Sequence, residues 1–151
     1  MRANFVLAVL VFLSLISCKE DKKSNEDEIK SENKELPTAP KRFGMVTGIK
    51  PDKIEYYKKL HANAWPAVLK KIKECNLQNY SIYIQKIEGK YFLFRYFEYV
   101  GANFDEDMKK MAADSTTQLW WKETDPTQIP LPEAAIKKQI WTNMGEVFHA
   151  N

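Results

Sequence analysis

Chemically capable side chains stand at informative spacings in three parts of the chain. Tyr57 and His61 lie four residues apart in YKKLHANAWP, so on a helix they are neighbours one turn apart. The ordinary pKa of histidine, about 6.5, suits it to give and take protons in general acid–base chemistry. A histidine on an apolar stripe is also the pattern of a hydrogen-bonded core residue, and spacing alone does not separate the two. Tyr80 follows Asn79 at the start of a second strand, where its phenol can turn inward. Trp120-Trp121 is a tandem pair on a short helix, and its rings point about 100° apart. One ring can be core while the other borders a cavity.

The elements that must carry these groups follow from periodicity. RFGMVTGI (42–49) alternates as a strand. Pro51 suits a first helical turn, and Ile54, Tyr57, His61, Ala64, Trp65, Val68 and Ile72 then fall on one helical stripe. Pro66 has no amide hydrogen and disfavours helical angles at Trp65, which predicts a break between residues 62 and 66. A broken helix wall exposes backbone and side chains to a cavity, with His61 at its lip. Residues 78–100 read as a hairpin turning at Glu88-Gly89. The second limb is apolar on both faces, Phe92, Phe94 and Tyr96 against Leu93, Phe97 and Tyr99, so the sheet must be covered twice. Helices of this chain can cover one face; the other needs a second copy or a closed barrel.

Residues 103–114 are amphipathic, and 115–123 restart a helix with Ser115 and Gln118 in capping-box positions. A proline-punctuated connection with one short helix leads to a closing strand over 139–149. The order β-α-β-β-α-β predicts an α+β, ferredoxin-like domain over residues 41–151.

The remainder of the chain points to export. Arg2 precedes an apolar run at 5–16 that is short for a bilayer span, and LISC ends it at Cys18. Residues 1–18 resemble a bacterial lipoprotein signal peptide whose cysteine is lipidated, against the plainer alternative of an ordinary secretory signal. Residues 19–40 are charged, lack aromatics and end in two prolines, as a disordered tether does. The predicted location is a bacterial membrane, on its periplasmic or cell-surface side. The signal carries +1 and the tether −2 (five Lys, seven acidic), so a formal total of +3 leaves +4 on residues 41–151. No basic run is interleaved with aromatics, which argues against a nucleic-acid partner. Cys75 is the one cysteine left after Cys18, so no intrachain disulfide is expected there, and no Cys/His spacing suggests zinc.

Taken together, Y-x-x-x-H-x-x-x-W-P (57–66), N-Y-x-I-Y (79–83), W-W (120–121) and E-V-F (146–148) resemble the L-rhamnose mutarotase family. The resemblance covers nearly all of residues 42–149. It implies a dimeric α/β barrel type of ferredoxin-like domain that interconverts the α and β anomers of an aldose. It implies His61 as proton donor, with Tyr57, Tyr80, Trp120 and Trp121 binding the sugar. It also implies a homodimer with sheets face to face. The chain departs from the family in its export signal and in the connection between Trp121 and Gln139, which borders the expected pocket rim.

Mutarotation opens a hemiacetal by protonating the ring oxygen and removing the proton of the anomeric hydroxyl, and it needs no metal or cofactor. Tryptophan faces suit the C–H side of a pyranose, and an aromatic pocket suits a deoxy sugar. The alternative is a non-catalytic carbohydrate-binding lipoprotein module that uses the same pocket. A cofactor-free or haem-linked oxygenase is a third reading, since such barrels also host that chemistry and fold alone does not decide among them. His149, near the C-terminal end, is given no role.

Overall fold

The computed structural model describes residues 39–150. The signal (1–18, with Cys18) and most of the tether (19–40) lie outside the described residues.

Strand β1 (Lys41–Ile49) passes through a 3-10 turn at Pro51–Lys53 into helix α1 (Ile54–Ala62). Helix α2 (Pro66–Glu74) continues it, followed by β2 (Leu77–Ile87) and β3 (Lys90–Tyr99). Helices α3 (Phe104–Ala113) and α4 (Ser115–Thr124) precede a 3-10 turn at Asp125–Thr127 and the short strand β4 (Gln128–Ile129). Helix α5 (Pro132–Ile136) and strand β5 (Thr142–Met144) complete the described elements. The sheet runs β2-β3-β1-β4, with β5 also on β1, and these pairings are antiparallel. This is the ferredoxin-like arrangement expected from the order of elements.

Glu88 and Gly89 both have positive φ, 48° and 80°, as a tight two-residue hairpin turn requires. The helix-covered face of β3 buries Leu93, Phe97 and Tyr99. Phe43 stacks between Phe97 and Phe104, its centroid 4.9 and 4.6 Å from theirs. Under α3, the buried Asp107 carboxylate accepts from Asn76 Nδ2 at 2.7 Å and Tyr99 Oη at 2.9 Å. Those hydrogen bonds and Lys110 hold its pKa below the ordinary range. The opposite face carries Phe92, Phe94 and Tyr96, each half-buried. Beside them Tyr83 is 63 % exposed.

Two expectations change. The cap of α4 is Asp114 rather than Ser115: its carboxylate accepts from Thr117 N at 2.8 Å and from the Thr117 hydroxyl at 2.9 Å. A carboxylate at the N-cap also meets the positive end of the helix dipole. The closing strand over 139–149 shrinks to Thr142–Met144, because only these residues align with β1. Beyond it Glu146 pairs with Arg42 of β1, accepting from Nε at 2.8 Å and from Nη2 at 3.1 Å, while Val147 is 98 % and Phe148 82 % exposed. Strand β4, inside the proline-rich connection, was not expected. Its Ile129 lies opposite Gly48, where an added Cβ would stand 2.9 Å from the Ile129 carbonyl oxygen.

Candidate active site

The break before Pro66 shapes the site. Helix α1 stops at Ala62, and Trp65 is extended at φ −65°, ψ 129°, as the residue before a proline should be. The carbonyls released at the helix end find local donors: Asn63 N–H reaches Leu60 O at 3.2 Å, and Asn63 Nδ2 reaches Lys59 O at 3.1 Å. This fixes the last turn, which carries His61, with Tyr57 one turn before it.

His61 Nδ1 lies 2.9 Å from the Tyr57 carbonyl oxygen. A carbonyl can only accept, so Nδ1 carries the proton and Nε2 is left for exchange. The His61 ring packs on the Tyr57 ring with centroids 4.1 Å apart and meets the Trp120 ring edge-on at 5.2 Å. Trp120 in turn meets Trp65 edge-on at 5.4 Å. Burial pushes the His61 pKa below its ordinary 6.5, opposed by the hydrogen bond to the Tyr57 carbonyl. Burial also pushes the Tyr57 phenol well up, helped by Tyr80 and Asp125 and opposed by Arg95.

A β-bulge delivers Tyr80. The β2–β3 register shifts between Gln78 and Ser81, and Asn79 takes φ 50° with its amide on Glu98 Oε2 at 2.8 Å. The extra residue turns the following side chain onto the helix-covered face, where Tyr80 stacks on Phe97 at 5.7 Å. Arg95 Nη1 donates to the Tyr80 hydroxyl at 3.2 Å, which leaves the phenol proton free to donate elsewhere.

These groups line one cavity of about 560 Å³, within the range of small-molecule sites. All five residues expected around a sugar, Tyr57, His61, Tyr80, Trp120 and Trp121, border it. Trp120 is buried and Trp121 is 36 % exposed, the split between core and rim expected of a tandem pair. A second hollow of about 600 Å³ shares Tyr57, His61, Tyr80 and Trp120, but Val68, Leu69 and Ile84 make much of its remaining wall aliphatic. The first offers more partners for hydroxyl groups.

The polar and aromatic wall residues missed from sequence include Arg95, Asp125, Gln128 and Trp141. The Arg95 guanidinium sits 4.5 Å from the Trp141 ring centroid and also contacts Met45 Sδ. One signal was available, since Arg95 interrupts the core-facing alternation Leu93, Phe97, Tyr99 with a charge. Asp125 and Gln128 fell in a connection whose path periodicity does not reveal, and Trp141 fell in the expected closing strand, whose placement beside the site periodicity does not reveal either. Among the described residues no three His, Cys, Asp or Glu side chains group to hold a metal ion. Among them, too, no helix is long and apolar enough to cross a membrane.

A family model described as L-rhamnose mutarotase matches residues 42–150. An L-rhamnose mutarotase of Oceanobacillus iheyensis is 31 % identical over 109 residues, covering 72 % of this chain and 97 % of the relative. One from Lactiplantibacillus plantarum is 28 % identical over 108 residues, covering 72 % of this chain and 96 % of the relative. The crystal structure of an L-rhamnose mutarotase from Formosa agariphila superposes with a TM-score of 0.55 at 19 % identity, over 74 % of this chain and 99 % of that one. That last likeness speaks for the fold.

Proposed function

The chain belongs to the L-rhamnose mutarotase family, and from that premise we propose that it exchanges the α and β anomers of L-rhamnose or a closely related aldose. The observation that carries this reading is His61, with Nδ1 tied to the Tyr57 carbonyl, in the wall of an aromatic cavity of sugar size. As an imidazolium, His61 donates its Nε2 proton to the pyranose ring oxygen, the C1–O5 bond opens, and the C1 hydroxyl gives up its proton to a second group as the C1=O1 bond forms. The free aldehyde turns about C1–C2, and reclosure returns the O5 proton to Nε2 while O1 regains its own. Tyr57 and Tyr80 hold hydroxyls, while Trp120 and Trp121 cover the C–H face of the ring. The apolar Phe43, Met45 and Phe104 in the same wall suit the methyl of a 6-deoxy sugar. Relatives named as mutarotases favour turnover over binding alone.

The test is saturation-transfer NMR on equilibrated rhamnose. Faster exchange between α and β anomeric protons on adding protein is expected. Binding without faster exchange, across rhamnose, fucose, galactose and xylose, would leave a binding module.

Two features of assembly belong to the same proposal. The partly exposed Phe92, Phe94, Tyr96 and Tyr83 support a homodimer through the open sheet face, and sedimentation showing only monomer contradicts it. The apolar run ending in LISC supports export and lipid anchoring through Cys18. Palmitate should label the wild type and not Cys18→Ser.

A further inference from the structure

Opening a hemiacetal needs two proton transfers, one to O5 and one from the hydroxyl on C1. His61 has a single working nitrogen, because Nδ1 is committed to the Tyr57 carbonyl. A second group must therefore meet the sugar. The ionisable side chains of the cavity wall are Tyr57, His61, Tyr80, Arg95 and Asp125. Arg95 does not release its proton, and burial makes Tyr57 a weaker acid than an ordinary phenol. Asp125 is the one carboxyl in that wall.

Independent observations mark the same wall as built for a polar ligand. Gln128 is 6 % exposed, and its Nε2 is spent on the Thr124 carbonyl at 3.3 Å, yet its Oε1 has no hydrogen-bond partner. Arg95 Nε is likewise buried without a partner, although Nη1 and Nη2 are engaged by Tyr80 and Met45. Buried polar atoms are nearly always satisfied, so a donor and an acceptor orphaned in one cavity wall await groups that come from outside the chain. A hydroxyl-rich sugar brings both.

We propose that Asp125 is the second proton-transfer group, working with His61 on the same sugar, and that Arg95 Nε and Gln128 Oε1 hydrogen-bond the sugar's oxygens. This rests on the mutarotase reading above. In opening, imidazolium Nε2–H gives its proton to O5, the C1–O5 bond breaks, the C1=O1 bond forms, and the O1 proton passes to the Asp125 carboxylate. Reclosure reverses each step, with Asp125 returning its proton to O1 and His61 taking one from O5. The pair carries one proton throughout, so no co-reactant is required.

The surroundings of Asp125 favour that sharing. It follows α4 directly, where burial raises its pKa while the Thr124 hydroxyl and the Arg95 charge oppose the rise. Tyr57 faces it from α1 and Arg95 from β3, close enough for their charges to act on one another. Lys50 approaches from the end of β1, its Nζ donating to the neighbouring Pro126 carbonyl at 2.8 Å. A pair that works with one proton gives a bell-shaped dependence of kcat on pH.

The experiment compares wild type, Asp125→Asn, Asp125→Glu, Gln128→Leu and His61→Gln by anomer-exchange NMR from pH 4 to 9, with circular dichroism to verify folding. Asp125→Asn should lower kcat by about 10²- to 10⁴-fold while KM stays within about threefold, and the acid limb of the profile should vanish. Asp125→Glu should keep both limbs, which a merely structural role would not require. Gln128→Leu should raise KM about tenfold with kcat retained. The inference is overturned if Asp125→Asn keeps kcat within about threefold of wild type while His61→Gln does not. It is equally overturned if Asn and Glu at 125 give the same profile. Wild type that speeds exchange of no aldose sinks this inference and the mutarotase reading together.

Discussion

Replacing His61 with glutamine separates chemistry from packing. Glutamine can still donate an amide hydrogen to the Tyr57 carbonyl, which His61 reaches at 2.9 Å, but it cannot carry a proton to a sugar. What packing loses is the ring contact with Tyr57 at 4.1 Å and with Trp120 at 5.2 Å, each worth about 0.5–1.5 kcal/mol. What catalysis loses is a positioned proton transfer, about 10²- to 10⁴-fold, or about 2.7–5.5 kcal/mol at 1.36 kcal/mol per tenfold. Anomer exchange should therefore collapse while the variant still melts cooperatively, and quenching of indole fluorescence by rhamnose should persist through Trp120 and Trp121. The assay is saturation transfer between the anomeric protons at matched protein concentration, with a thermal melt on the same sample. Exchange within about threefold of wild type, from a variant that melts normally, would refute the assignment of proton transfer to this imidazole.

Further predictions probe the frame around the site. Gly48→Ala places a Cβ 2.9 Å from the Ile129 carbonyl, so β4 must shift at about 1–3 kcal/mol, and the adjacent Gln128 should carry the shift into a higher KM; a melt and a substrate titration measure both. His61 binds its proton less readily folded than unfolded, so the unfolded chain takes up more protons as pH drops through about 6.5. Stability should accordingly fall with pH below that point, and denaturant titrations should show a smaller fall in His61→Gln. Cys75 is 1 % exposed and burial raises its thiol pKa, so a thiol reagent should leave it unmodified in the native domain and label it on unfolding.

Much of the frame was written locally. Pro66 ends α1 by its own geometry, whatever the rest of the chain does, and the break falls at Asn63–Trp65 as its neighbours require. Glu88-Gly89 turns the hairpin, and four-residue spacing sets Tyr57 beside His61. The position of Tyr80 was legible only as a strand start next to an asparagine, since the bulge that turns it in depends on the register against β3. Asp114 takes the cap in place of Ser115: its Oδ2 accepts both Thr117 bonds, and its negative charge meets the positive end of the helix dipole.

By itself the sequence determined the family, the order of elements, the helix break and the pairing of tyrosine with histidine, because each rests on residue identities or on contacts within one turn. Only the tertiary structure decided that Arg95, Asp125, Gln128 and Trp141 share a wall with that histidine. They come from β3, from the turn and strand after α4, and from the approach to β5, and chain distance alone carries no information about such a meeting. The same holds for the orphaned Arg95 Nε and Gln128 Oε1: a missing hydrogen-bond partner exists only once every other atom has been placed.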